Sequence, residues 1–279
     1  MDIYRCDQYY AHSERKSFRY GDFYVNISAT SQMFTGVKAA TKRFEATERW
    51  PDDVQLVQTF EAEQIILPDY ANCLSVRAFL KMCKLPFSRD PRTNAEEMSP
   101  SGYLPFIKAG SFLVAGFDPI VGFVKRRGFD LSSSLSPTQQ SELQAYIAMV
   151  HNILDNVETT RPRYGSIHPW PLNWIIPLIK QREIKSKLDS IGWCKKTEEE
   201  VDEEVRSCCQ ALSERLGDQD YFFGDQPTEL DALVFGHLFA LLTTELPDVS
   251  TPTIIRKFPN LLDFVKLVEE KYFREIDEE

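Results

Sequence analysis

The sequence lacks an apolar run long enough to cross a membrane. The segment from Ala232 to Thr244 is uncharged but shorter than the ~20 residues that a helical span requires. The segment from Tyr164 to Ile179 is interrupted by Pro169, Pro171 and Pro177, which break a regular helix. We therefore expect no membrane span, and any membrane association to be peripheral or to go through a partner.

The sequence also lacks cysteine patterns that would indicate a metal site or a redox site. The six cysteines, which show neither a CxxC pair nor a metal-ligand spacing, are Cys6, Cys73, Cys83, Cys194, Cys208 and Cys209. No signal peptide is visible at the start, so we expect reduced thiols in an intracellular protein. The adjacent pair Cys208-Cys209 is more typical of core packing than of redox chemistry. We expect no catalytic residue, no metal and no cofactor.

An excess of positive charge is absent too. The 279 residues carry a formal net charge of −10, and the sequence pI is about 5.1. This balance argues against nucleic acid as the main partner. With 43% hydrophobic residues, the length suits one or two globular domains with sizeable cores.

The first part of the chain differs from the rest in charge. From Met1 to Arg43 there are seven basic and four acidic residues, a net charge of +3, which leaves −13 for the remainder. A thin apolar stripe at helical spacing consists of Met33, Val37, Ala40 and Phe44. Two interpretations stay open: a helix on an anionic membrane surface, or a partly ordered arm that packs on its own domain. We assign this extension to residues 1–50.

Residues 51–130 have the pattern of an α/β domain. The predicted elements are a strand at Gln64–Leu67, a helix at Ala71–Cys83, an extended piece from Pro86, a hairpin of Leu104–Ile107 with Phe112–Ala115, and a helix at Asp118–Arg127. Asp118 is the expected N-cap of the last helix, and Pro119 suits its first position. Such a small α/β unit gains from a packed neighbour.

Residues 136–275 are predicted to form an all-helical domain, after a serine-rich linker at Leu131–Leu135. Ser136 and Gln139 form a capping box that starts its first helix. Further helices are expected at Lys180–Ile191, from Thr197 to Gly217, and after Pro259, with an acidic tail.

The helix after Thr228 is the expected centre of this domain. Thr228 and Asp231 match a capping box, with Asp in place of the usual Glu. The residues that follow are apolar on nearly every face, which indicates a helix buried on all sides. Gly236 then favours close helix packing, and His237 is more typical of a core histidine than of a ligand or base.

Two tryptophans lie in the proline-rich stretch that precedes Ile179. Trp170 and Trp174 fit either an irregular aromatic corner of the core or a docking surface, because tryptophan is enriched at interface hot spots. We keep both interpretations, and we name these two residues as candidates for partner binding.

Several motifs together resemble a known superfamily. Leu104-Pro105 stands where glutathione transferases have a cis-proline, and Thr228-x-x-Asp231 matches their N-capping box. The segments with the most specific resemblance are Met98–Ile107, Arg163–Ser166, Pro169–Asn173, Ile191–Trp193, Cys208–Ser213 and Gln226–Leu238. Over residues 60 to 273, the chain resembles the metaxin family, and its second branch most closely. The implied fold is glutathione transferase-like: an α/β thioredoxin-like N-terminal domain followed by an all-α C-terminal domain, with a cis Leu104-Pro105 bond.

The resemblance implies a function without catalysis. Metaxins lie on the cytosolic face of the mitochondrial outer membrane, in the machinery that sorts and assembles β-barrel proteins, and some attach mitochondria to motor adaptors. The implied partners are a metaxin 1-type protein, the β-barrel assembly channel and motor-adaptor proteins. The second branch has no anchor of its own and is held peripherally through its partner. The first 50 residues fall largely outside the resemblance.

The alternative is a glutathione-dependent transferase-like enzyme. Transferases bind glutathione through a Glu/Gln-Ser pair after the fourth strand, where this sequence has Gly116-Phe117. Tyr70 or Cys73 could supply the catalytic hydroxyl or thiol. A redox sensor that uses Cys73 and Cys83 is a third interpretation, with no second motif in its favour.

Overall fold

The computed structural model describes residues 50–60, 67–160, 189, 193, 196–244 and 250–274. They belong to one compact unit that runs from Arg49 to Glu279. The strands are β1 (Gln55–Gln58), β2 (Ser88–Pro91), β3 (Phe106–Ala109) and β4 (Phe112–Ala115). The helices are α1 (Leu67–Met82), α2 (Ala95–Met98), α3 (Phe117–Arg126), α4 (Pro137–Thr160), α5 (Glu198–Leu216), α6 (Glu229–Thr243), α7 (Ser250–Ile255) and α8 (Pro259–Tyr272).

The four strands form one mixed sheet in the order β2-β1-β3-β4. β1 and β2 are parallel, whereas β3 is antiparallel to both β1 and β4. The predicted hairpin is confirmed: Ile107 lies opposite Val114, and Gly110 turns the chain with a φ of 60°. A left-handed backbone at this turn favours glycine.

The position of the first strand differs from the prediction. Leu67 is the first residue of helix α1, and Gln64–Ile66 lie outside the described residues. The strand before α1 is Gln55–Gln58, in which only Leu56 and Val57 are apolar. Pro68 lies in the first turn of α1, where a missing N–H costs no hydrogen bond.

Helix α3 begins two residues earlier than expected. Its N-cap is Gly116, at a φ of 85°, and not Asp118. The positive φ of Gly116 lets the chain turn directly from β4 into the helix. A residue with a side chain adopts a positive φ less readily than glycine does. Asp118 lies in the first turn instead, where the positive end of the helix dipole favours a carboxylate.

The helical part agrees with the prediction in its helix starts. Ser136 and Gln139 exchange hydrogen bonds of 3.0 and 3.3 Å at the start of α4. Thr197 and Glu200 do the same at the start of α5, with distances of 2.8 and 3.2 Å. The sequence did not indicate the short helix α7. Except for Asp189, the predicted helix at 180–191 lies outside the described residues, as does the tail from residue 275.

Helices α1 and α6 cross at close range. Helix α1 belongs to the α/β part of the chain and α6 to the helical part, so their contact joins the two parts. A Cβ at Gly236 would overlap Ser75 Oγ and lie 2.5 Å from Ser75 N and 2.6 Å from Ala71 O. The Ser75 hydroxyl lies 2.9 Å from the Ala71 carbonyl and 3.2 Å from the Leu233 carbonyl of α6. The prediction that Gly236 serves close packing is confirmed. One hydrophobic core extends from the sheet to α8.

Among the described residues, no helix combines the length and the apolar character that crossing a membrane requires.

Candidate functional site

The start of α6 is fixed by a buried carboxylate. Asp231 Oδ2 accepts hydrogen bonds from the Thr228 N–H and the Thr228 hydroxyl, both at 2.7 Å. Asp231 Oδ1 accepts a third, from the Phe222 N–H at 2.9 Å. The predicted capping box is present, and it also holds the loop before the helix. Burial raises the pKa of Asp231 to about 6, against the hydrogen bonds from Phe222 and Thr228, which lower it.

The Leu104-Pro105 peptide bond is cis, as expected. The Pro105 carbonyl accepts a hydrogen bond of 2.9 Å from the Gly116 N–H, so the proline lies against the start of α3. Phe117, the next residue, is buried and packs edge-on against Phe79, with 6.1 Å between ring centroids. Gly116 and Phe117, which the resemblance compares with the Glu/Gln-Ser pair of transferases, have no polar side-chain group to offer a ligand.

The candidate nucleophiles lie in the core or pack against it. The Cys73 side chain is 3% exposed and belongs to the core near the start of α1. Tyr70 is half-buried and packs against the same core. Burial raises the pKa of the Cys83 thiol to about 12, so this thiol stays protonated and unreactive at neutral pH. Cys208 and Cys209 are fully buried, as predicted for core packing.

The candidate partner-binding residues Trp170 and Trp174 lie outside the described residues, as do residues 1–49. Their roles stay predictions.

A cavity of about 410 Å³ lies where α3 meets α4 and the start of α6. Its lining consists of Phe117, Asp118, Val121, Gly122, Lys125, Gln144, Ile147, Ala148, His151 and Glu229. Phe117, from the position compared with the transferase binding pair, belongs to this lining, whereas Tyr70 and Cys73, the candidates for the catalytic group, do not.

An ion pair at this cavity connects the two parts of the chain. Lys125 Nζ on α3 lies 2.6 Å from Glu229 Oε1 on α6 and 2.7 Å from Ser132 Oγ. It also lies 3.2 Å from Asp130 Oδ1. Burial lowers the pKa of Lys125, but the hydrogen bonds and negative charges of Glu229 and Asp130 together outweigh burial and raise that pKa. Since Ser132 is buried, the predicted linker packs against the body.

A second polar cluster joins α3, α4 and α6. His151 Nδ1 lies 3.0 Å from Asp155 Oδ2, and His151 Nε2 lies 3.4 Å from Asp118 Oδ1. His237 is fully buried, as predicted, and its Nε2 lies 3.4 Å from Asp155 Oδ1. Burial lowers the pKa of His151, but the hydrogen bonds and negative charges of Asp118 and Asp155 together outweigh burial and raise that pKa to about 10. The sequence did not indicate this cluster, because its members are far apart along the chain.

Comparison with protein families supports a fold of two parts, an α/β part followed by a helical part. The family model described as the glutathione S-transferase N-terminal domain matches residues 71–162, and that of the C-terminal domain matches residues 205–268. A glutathione S-transferase of Ceriporiopsis subvermispora, solved in complex with glutathione, superimposes with a TM-score of 0.52. The two are 13% identical, over 78% of this chain and 96% of that one. Glutathione transferase F7 from Populus trichocarpa gives a TM-score of 0.50 at 12% identity, over 81% and 98% of the two chains.

The fold is therefore glutathione transferase-like, as the sequence predicted. Proteins of similar sequence identify the family within this fold. Metaxin-2 of Homo sapiens is 46% identical over 251 residues, which cover 85% of this chain and 95% of the relative. The Metaxin-2 homolog of Caenorhabditis elegans is 37% identical over 77% of this chain and 99% of its own. Metaxin-1 of Mus musculus is 31% identical over 65% and 64% of the two chains. The chain belongs to the metaxin family.

Proposed function

We propose that this chain is a non-catalytic subunit of the machinery that sorts and assembles β-barrel proteins at the mitochondrial outer membrane. In this role it lies on the cytosolic face and binds a metaxin 1-type partner. The observation that carries the proposal is the 46% identity to Metaxin-2 along nearly the whole of that relative. A secondary role in attaching mitochondria to motor-adaptor proteins follows from the same family membership.

The geometry at the transferase binding position supports a role without catalysis. Transferases hold the γ-glutamyl group with a Glu or Gln and a Ser at that position, and Gly116 and Phe117 supply none of these side chains. The candidate thiol Cys73 is buried, so it lacks the exposure that is typical of a reactive cysteine.

The charge distribution supports attachment through a protein rather than through lipid. Outside residues 1–43 the net charge is −13, which anionic lipid would repel. The basic arm adds only about 1 kcal/mol of attraction per basic residue near such a surface, and stable anchoring usually takes two signals. We assign most of the attachment to the partner, through apolar surface that includes Trp170 and Trp174.

Flotation of liposomes with outer-membrane composition tests this attachment. At physiological salt we expect the purified chain to stay with the soluble fraction, and to float only with liposomes that carry a metaxin 1-type protein. Tight binding to protein-free liposomes would show that the arm suffices and would contradict attachment through a partner.

The double substitution Trp170→Ala/Trp174→Ala tests the docking surface. We expect it to abolish flotation with the partner while thermal unfolding stays unchanged. Trp193→Ala is the matched control, because Trp193 belongs to the core and its loss removes buried contacts. A double variant that unfolds as early as this control would place Trp170 and Trp174 in the core instead.

Retention on immobilised glutathione tests the transferase alternative. We expect the folded chain to pass through the column. Retention followed by elution with free glutathione would favour the enzyme and contradict the proposed function.

A further inference from the structure

Two helices bring three metal-ligand side chains together at one point. His151 and Asp155 are four residues apart on α4, a spacing that places both on one face of the helix. His237 approaches them from α6. One ligand atom from each of the three residues lies within 4.8 Å of the other two. Such a convergence of two imidazoles and a carboxylate from facing helices is a common way to build a metal site.

The distances suit a small tetrahedral ion. With bonds of 2.0–2.2 Å to nitrogen and oxygen, two ligand atoms on a tetrahedral zinc ion are about 3.4 Å apart. His237 Nε2 and Asp155 Oδ1 are 3.4 Å apart, and His151 Nδ1 and Asp155 Oδ2 are 3.0 Å apart. The three ligand atoms all lie within 4.8 Å of one another, so a shift of up to about 1.4 Å in the partly exposed His151 and Asp155 closes the site around the fully buried His237. Imidazole and carboxylate ligands suit zinc.

The second nitrogen of His151 has the surroundings that metal-bound histidines usually have. Asp118 Oδ1 of α3 lies 3.4 Å from His151 Nε2. Binding of the metal displaces the proton on Nδ1, and a carboxylate beside Nε2 keeps the other proton in place and orients the ring. The cavity of about 410 Å³, which Asp118 and His151 line, gives the site access to solvent.

We infer that His151, Asp155 and His237 bind a zinc ion, with Asp118 as the positioning residue of His151. The ion connects α4 to the buried helix α6, and water takes the fourth coordination position. The inference does not depend on the proposed function, because a zinc connection between these helices is compatible with either a subunit or an enzyme.

Calorimetric titration of the full chain with zinc chloride, after dialysis against a chelator, tests the inference. We expect one zinc ion per chain. Asp155→Asn replaces a ligand and should weaken binding by more than about 100-fold, since changes in the outer shell alone cost 10–100-fold. Asp118→Asn should weaken it by that smaller amount, about 10–100-fold. The matched control His12→Gln/His168→Gln removes the two other histidines of the chain and should bind as the unaltered protein does.

Cobalt and thermal unfolding provide readouts that do not depend on calorimetry. We expect the absorption spectrum of tetrahedral cobalt(II) with the unaltered chain but not with Asp155→Asn. Zinc at 100 times its dissociation constant should raise the midpoint of thermal unfolding by roughly 5–10 °C in the unaltered chain alone. No zinc binding, or equal binding by Asp155→Asn with its circular dichroism intact, would overturn the site and leave the cluster as an ion pair.

Discussion

At the scale of single residues, Asp231 has the most demanding role in the described part of the chain. Its carboxylate is fully buried and accepts hydrogen bonds from Phe222 and Thr228. Thr197 and Glu200 form the same type of capping box at an exposed helix start. The Asp231 box is buried and accepts an additional hydrogen bond from Phe222, so a comparison of the two boxes measures what burial and this bond add to a cap.

We predict that Asp231→Ala lowers the free energy of unfolding by about 2–4 kcal/mol. The substitution leaves two N–H groups without an acceptor in the core, and each buried unsatisfied group costs about 1–3 kcal/mol. The control Glu200→Ala should cost only about 1 kcal/mol, because water can replace the lost acceptor. Urea denaturation measures both. Equal and small costs would show that the burial of Asp231 adds nothing to the cap.

The same residue makes stability depend on pH. Burial raises the pKa of Asp231 from 3.8 to about 6, so the folded protein holds this proton more tightly than the unfolded chain. The contribution of Asp231 is therefore complete below about pH 4 and is lost as the pH rises through about 6.

We predict that the stability difference between the unaltered chain and Asp231→Asn shrinks by up to about 3 kcal/mol from pH 4 to pH 7. Denaturation of both proteins across this range measures the difference, in which the other carboxylates cancel. A difference that grows with pH would mean that the hydrogen bonds outweigh burial and hold the pKa low.

An interaction between two residues could be predicted from the sequence when the residues are close together along the chain. Thr228 and Asp231 are three residues apart, so the sequence alone indicated their box. His151 and His237 meet only because α4 packs on α6. No local pattern signals such a meeting, although the pair His151 and Asp155 already has a spacing that metal sites use on a helix.

At the scale of secondary-structure elements, the crossing of α1 and α6 determines how closely the two parts of the chain approach. Gly236 lets the backbones meet where Ala71 and Ser75 face it. Gly122, on α3, is the matched comparison: its added Cβ would meet only the end of the Arg126 side chain, at an ordinary 3.5 Å.

We predict that Gly236→Ala destabilises the fold by about 2–3 kcal/mol, because inserting a methyl group into a packed core forces helices apart. Gly122→Ala should be neutral or stabilising by up to about 1 kcal/mol, since alanine is the better helix former. Chemical denaturation compares the two. An additional Ser75→Gly change should not rescue Gly236→Ala, because the backbone atoms of Ser75 and Ala71 remain in the way. Full rescue would contradict a backbone contact.

Elements with local signals were predicted well, and those without them were missed. The hairpin of β3 and β4 and the helix starts depend on neighbouring residues. Strand β1 has only Leu56 and Val57 as apolar residues, and it pairs with strands more than thirty residues away along the chain, at Ser88 and Phe106. The pattern around Gln64–Leu67 looked more like a strand, but its last residue begins α1.

At the scale of the whole molecule, the two parts that match separate transferase domain models share one hydrophobic core. The ion pair of Lys125 with Glu229 adds a polar connection between the same parts. The fold class could be predicted because the order of elements is a property of the sequence. The packing of the linker could not, because Ser132 is buried only by contacts with distant residues.

We predict that the chain unfolds in a single transition. Exposure of the shared core in one part removes the packing surface of the other, so neither is stable alone. Far-ultraviolet circular dichroism, which reports mainly on the helices, and near-ultraviolet circular dichroism, which reports on packed aromatic residues, should give the same midpoint in urea. Two separated transitions would show that the parts fold independently.

The central claim is that a transferase-like scaffold serves here as a binding subunit. Its most direct test is the isolation of the tagged full-length chain from detergent-solubilised mitochondria, with identification and quantification of the retained proteins. We predict that a metaxin 1-type protein and the β-barrel assembly channel are retained in amounts comparable to the chain itself, and that Trp170→Ala/Trp174→Ala loses them while staying folded. A chain that is isolated without either partner, yet binds glutathione, would contradict the account.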